Sequence, residues 1–96
     1  MEIFMQKYEY IKIFCRYPDD EIPAVFFYEV DTENERYAVR MAEIYHDGKI
    51  KRVIDDNSEF VTEAPVPDTD FFNSQEEFYA ENISKKEFEI IYNNTE

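Results

Sequence analysis

One glycine, one cysteine, one histidine and no tryptophan occur among 96 residues, and each scarcity closes a class of function. A phosphate-cradling loop needs several glycines where backbone and anion approach, so Gly48 alone supports no nucleotide-binding fingerprint. A single thiol, Cys15, cannot close an internal disulfide. The positioned base, nucleophile or metal set that a hydrolase or transferase requires is mostly missing, which predicts a protein without catalytic residues, resident metal or cofactor. No run approaches the ~20 consecutive apolar residues of a membrane span, and Met1 to Tyr17 lacks the unbroken apolar core of a signal peptide. A cytosolic protein that does not engage membranes is therefore expected. Positive charge is scarce too: 10 Lys and Arg stand against 23 Asp and Glu, a net charge of −13.

What is present is aromatic and acidic. Eight Tyr and nine Phe within a 44% hydrophobic composition can bury enough apolar surface to oppose disorder, and the length suits a single domain spanning residues 1–96. The charge is uneven. Residues 1–54 hold 11 acids and 8 bases, residues 55–96 hold 12 acids and only Lys85 and Lys86, so the net charge divides into −3 and −10. A one-signed field attracts oppositely charged partners and repels like-charged ones, which points toward a basic protein and away from direct nucleic-acid binding.

The pattern along the chain predicts an α+β fold: an antiparallel meander of four to five strands over residues 8–62, a proline-rich connector at 64–67, and a helical C-terminal part at 68–94 packed on one face. Tyr8 to Arg16 alternates as a half-buried strand, Ile11, Ile13 and Cys15 on one side and Tyr10, Lys12 and Phe14 on the other. After a turn at Pro18 to Glu21, the nearly continuous apolar run Ala24 to Val30 reads as a central strand covered on both faces. Arg36 to Tyr45 alternates again, with Tyr37, Val39 and Met41 opposite Arg36 and Arg40. Asp47-Gly48 then predicts a two-residue type I′ hairpin returning through Lys49 to Ile54. Glu59 to Thr62 suits a short fifth strand.

Further on, Asp68 and Ser74 are both candidate N-caps, and Ser74-Gln75-Glu76-Glu77 fits a capping box, so short helical turns are the first expectation for 68–81, with a strand over Phe78-Tyr79-Ala80 as the alternative. Ser84-Lys85-Lys86-Glu87 is a second capping box, and Ile83 and Phe88 occupy the positions of a hydrophobic staple. Phe88, Ile91 and Tyr92 share one helical face that would pack on the sheet.

Candidate chemistry is thin. His46 falls in the hairpin turn and reads as an exposed turn residue; Cys15 lies in an inward register and reads as an inert thiol. The acidic clusters Asp19-Asp20-Glu21, Asp55-Asp56 and Asp68-Thr69-Asp70 lack calcium-loop spacing. Collectively the acids of the second half, Asp55, Asp56, Glu59, Glu63, Asp68, Asp70, Glu76, Glu77 and Glu81, together with Phe71 and Phe72, provide steering charge and aromatic anchors for a basic protein partner. Tyr37, Arg36 and Arg40 could alternatively line a shallow small-molecule cleft.

Glu21-Ile22-Pro23 leading to Phe27-Tyr28-Glu29-Val30-Asp31, then Glu35-Arg36-Tyr37, Arg40, Glu43-Ile44-Tyr45 and Asp47-Gly48-Lys49, and the ending Ile83 to Tyr92, resemble a bacterial family of small uncharacterised domains over most of the chain. Such domains resemble the immunity-type proteins encoded beside polymorphic toxins, including contact-dependent inhibition systems. The resemblance implies a non-enzymatic inhibitor of a cognate toxin, and the acidic charge of the chain makes a nuclease, whose nucleic-acid site must be positive, the preferred target. The alternatives are a DNA-mimic inhibitor of a nucleic-acid enzyme and a small-molecule-binding domain.

Overall fold

The computed structural model describes residues 7–33, 35–54 and 65–93. Five strands, β1 (Tyr8–Cys15), β2 (Val25–Asp31), β3 (Tyr37–Ile44), β4 (Ile50–Ile54) and β5 (Phe78–Ile83), form one antiparallel sheet in the order β4-β3-β2-β1-β5. Two helices complete the α+β fold: α1 (Thr69–Asn73) precedes β5, and α2 (Lys85–Asn93) follows it. The first four strands are the anticipated meander. The fifth is not a continuation of it but closes the opposite edge, against β1. This corrects the helical reading of 68–94, because β5 interrupts it over the segment for which a strand was the alternative. The strand expected at 59–62 lies outside the described residues.

Placing β5 beside β1 makes β1 an inner strand, so its alternation serves two cores instead of one core and solvent. On one face Ile11, Ile13, Val30, Ala38, Met41, Val66 and Ala80 are buried together, with Phe72 and Phe78 packed against them. On the other, Tyr10, Phe27 and Ala42 meet Phe88 and Tyr92 of α2. β2 contributes to both clusters, as its apolar run foretold.

The terminal helix begins as the capping box predicts. Ser84 Oγ accepts the Glu87 N–H at 3.0 Å, satisfying an amide that the helix itself cannot. Ile83 and Phe88 sit in the same cluster, as the staple requires. Ser74, by contrast, closes α1 instead of opening a helix: Asp68 is the N-cap, its Oδ1 accepting the Phe71 N–H at 3.0 Å, and the Ser74 N–H ends the turn on Asp70 and Phe71 carbonyls. Two caps six residues apart competed for one short helix, and the one that lets Phe72 reach the core prevailed.

The hairpin differs from expectation in detail. The Gly48 N–H donates to the Tyr45 carbonyl and the Tyr45 N–H to the Lys49 carbonyl, leaving His46, Asp47 and Gly48 as a three-residue loop. Gly48 alone takes positive φ, at 91°, whereas a type I′ turn would demand it of Asp47 as well. Three residues need only one left-handed position, which glycine fills without steric cost.

A bulge alters β3 more consequentially. Glu29 pairs with Arg40 but Val30 pairs with Ala38, so Val39 is an extra residue and the strand's facing inverts across it. Arg36 and Arg40, expected on one side, therefore lie on opposite faces. Glu35 and Arg36 carry positive φ, 57° and 62°, at a cost of about 1–3 kcal/mol each. Offsetting it, the Arg36 guanidinium reaches both Glu9 oxygens at 3.1 and 3.2 Å and donates to the Val66 and Pro67 carbonyls, while the Arg36 carbonyl accepts the Val66 N–H at 2.7 Å. These contacts anchor the chain where it crosses toward α1.

A candidate acidic docking surface

Five of the ten cations are spent internally. Arg40 binds Glu29 in a fork, Nε to Oε1 at 2.6 Å and Nη2 to Oε2 at 3.0 Å, and grips Glu89 of α2 at 3.1 and 2.8 Å. The Tyr10 hydroxyl donates to Glu29 Oε2 at 2.7 Å, completing the satisfaction of a carboxylate only 6% exposed. Arg36 pairs with Glu9, Lys7 with Asp31, Lys12 with Glu87 and Lys49 with Asp47. Arg36 and Arg40, each held by carboxylates on its own face, cannot line one cleft with Tyr37.

The acids named from sequence divide differently. Asp55, Asp56, Glu59 and Glu63 lie outside the described residues. Asp68 and Asp70 sit on the cap and first turn of α1 and Glu76 and Glu77 in the turn that follows it, whereas Glu81, on the edge strand β5, pairs with Lys12 and so lies on the sheet face opposite the one on which α1 packs. None forms an ion pair among the described residues. Phe71, beside them, is 53% exposed, and so available as an anchor. Phe72 is turned inward, its ring perpendicular to that of Phe78 at 5.8 Å, and belongs to the core.

Asn73 gave no sequence signal, yet it governs how this edge can be used. Its side-chain amide donates to the Ala80 carbonyl at 2.9 Å and accepts the Ala80 N–H at 2.7 Å, taking both outward backbone groups at the centre of β5. A neighbouring strand would need those groups, so strand addition here is obstructed and a partner must be met with side chains. Only the return of the chain from α1 to β5 brings residues 73 and 80 together.

His46 is exposed, as expected of a turn residue, but its Nε2 lies 2.7 Å from Asp20 Oδ1 and so links two loops. Burial pushes the Cys15 thiol above its ordinary pKa, which lowers its thiolate fraction and suits an inert group. No cluster of three or more metal-ligating side chains occurs among the described residues, and no described helix is long and apolar enough to cross a membrane.

These contacts set a pH window for stability. Arg36 holds Glu9, and Arg40 holds Glu89, below the ordinary value of 4.5, so the stabilisation they give is complete above that value and is lost as pH falls through their depressed folded-state pKa values. Burial pushes Tyr28 up to about 12 from 10.0; the unfolded chain ionises first, and stability falls as pH rises between those values. Urea midpoints measured across pH should form a plateau between about 5 and 10 with losses on both sides, and Tyr28→Phe should blunt the alkaline loss alone.

The profile of a protein family described as Domain of unknown function (DUF6881) matches residues 9–96. No curated protein and no solved structure matches the chain.

Proposed function

We propose that this chain, which belongs to the family described as Domain of unknown function (DUF6881), is a non-enzymatic binding protein that neutralises a basic protein partner, in the manner of an immunity protein acting on a cognate toxin. The observation that supports it is the contrast in counter-charge: five acids on α1, on β5 and in the turn between them have no ion-pair partner among the described residues, while Lys7, Lys12, Arg36, Arg40 and Lys49 are already engaged. Carboxylates left uncompensated at a surface with an exposed phenylalanine suit an external lysine- and arginine-rich face. A nuclease is the preferred target, since its nucleic-acid site must be positive. Inhibition is steric and electrostatic, requiring no reactive group on this chain.

The test is to express each reading frame flanking this one with and without the chain in a growth assay. One is expected to encode a basic domain that arrests growth alone and is tolerated when co-expressed, with an association rate that falls on the order of tenfold on raising salt beyond physiological strength. Absence of arrest, or arrest without rescue, overturns the reading. Charge reversal at Asp68 and Asp70 together should slow association and flatten its salt dependence.

A further inference from the structure

We infer that the outer edge of β4 takes up an extended acidic strand of another protein, lengthening the sheet by one strand. The inference stands apart from the reading of a basic partner and concerns the edge opposite β5. β4 is the last strand of the sheet on its side, and the phase of its hydrogen bonds fixes what it presents there. The Tyr45 N–H donates to the Lys49 carbonyl, and the Ile44 carbonyl accepts the Ala24 N–H at 2.8 Å on the β2 side. Backbone groups of an antiparallel strand turn to alternate sides, so Lys51, paired with Glu43, bonds inward. Ile50 and Arg52, paired with Ile44 and Ala42, aim their N–H and carbonyl groups outward. Nothing among the described residues meets those outward groups. β5 is the contrast, since Asn73 already takes its outward groups at Ala80.

Charge at this edge selects the occupant. Among the cations that form no ion pair with a described residue, Lys51 and Arg52 stand side by side on β4, both exposed. They point to opposite faces: the Arg52 guanidinium lies 5.8 Å from the Tyr92 ring, on the side of α2, and Lys51 lies on the other side. The acids nearest the edge have contacts of their own. Glu43 accepts the Tyr45 hydroxyl at 3.4 Å, Asp47 lies 3.8 Å from Lys49, and Asp20 lies 2.7 Å from His46. An incoming strand therefore meets a cation on each face at successive positions, and two adjacent acids on that strand answer both. Lysine and arginine on an edge repel strands of their own charge, so the same pair that guards β4 against indiscriminate association admits an acidic strand. A second copy of this chain does not fit. Pairing β4 with β4 sets Lys51 and Arg52 against themselves, and pairing β4 with β5 is obstructed by Asn73.

Fluorescence anisotropy with three labelled synthetic peptides tests this. One carries two adjacent glutamates among valines and threonines, one has glutamines in place of the glutamates, and one is the glutamate peptide with its central amides N-methylated. The intact chain is expected to bind the glutamate peptide at least about tenfold more tightly than either of the others, although its net charge of −13 opposes an acidic ligand. Lys51→Glu/Arg52→Glu should abolish the preference for glutamate over glutamine, circular dichroism reporting that the variant is folded. Equal binding of the glutamate and glutamine peptides would show that the edge does not select charge, and equal binding of the methylated peptide would show that no strand is added; either result overturns the inference. Binding of none of the three makes β4 a guarded edge and nothing more, which overturns it too. Sedimentation showing a dimer of the intact chain that Lys51→Glu/Arg52→Glu disperses would assign the edge to a second copy, with the same consequence. None of these outcomes touches the reading of a basic partner, whose test is the growth assay.

Discussion

Arg40→Ala is expected to lower the unfolding free energy by about 3–5 kcal/mol, the largest loss from any one charged side chain here. Glu29 is the reason. It is nearly fully buried on β2, and its charge is tolerable because the Arg40 fork and the Tyr10 hydroxyl together satisfy both oxygens. Removing the guanidinium strands that charge in a low-dielectric site, and it also releases Glu89, the only carboxylate through which α2 is held to Arg40. The measurement is urea unfolding of each variant. Arg40→Lys should recover only part of the loss, since an ammonium cannot reproduce the bidentate fork. Glu29→Leu/Arg40→Leu should be far milder than Arg40→Ala, because it removes the orphaned charge with its partner. A change below about 1 kcal/mol for Arg40→Ala would show the pair to be solvated and of surface character.

Phe88→Ala should cost a comparable amount, about 3–5 kcal/mol, for a different reason. Its ring has no solvent exposure, lies 5.3 Å from Tyr10 and 5.6 Å from Tyr92, and carries the Arg40 guanidinium at 5.1 Å. Truncation opens a cavity at the more deeply buried of the two α2 side chains, Phe88 and Tyr92, that meet the sheet centre. A helix of nine residues is too short to persist unaided, so losing its anchor should free it as a unit. Amide exchange of residues 85–93 should then accelerate while β1 and β2 remain protected. Arg40 and Phe88 touch, so the double variant should lose less than the sum of the singles, by about 0.5–3 kcal/mol. Strict additivity would indicate that the cation over the ring contributes nothing.

Several features were legible because their causes are local. Alternation in Tyr8 to Cys15, the apolar run in β2, the hairpin around Gly48 and the Ser84 cap all depend on residues within one or two turns or a pair of strands. The site was less legible. Phe71 and Phe72 are adjacent and chemically identical, yet one faces solvent and the other meets Phe78, a distinction set by where α1 lies on β5. Asn73 looks like any loop asparagine until Ala80 is brought opposite it.

Composition and periodicity alone determined that the chain makes a small acidic sheet with a capped terminal helix, with no nucleotide loop and no internal disulfide, since these follow from residue types and their spacing. Tertiary structure alone decided that β5 sits beside β1, that one bulged residue sends Arg36 and Arg40 to opposite faces, and that Asn73 takes the outward backbone groups of Ala80. The physical reason is that facing and adjacency in a sheet depend on register between distant strands, and a shift of one residue reverses every side chain beyond it.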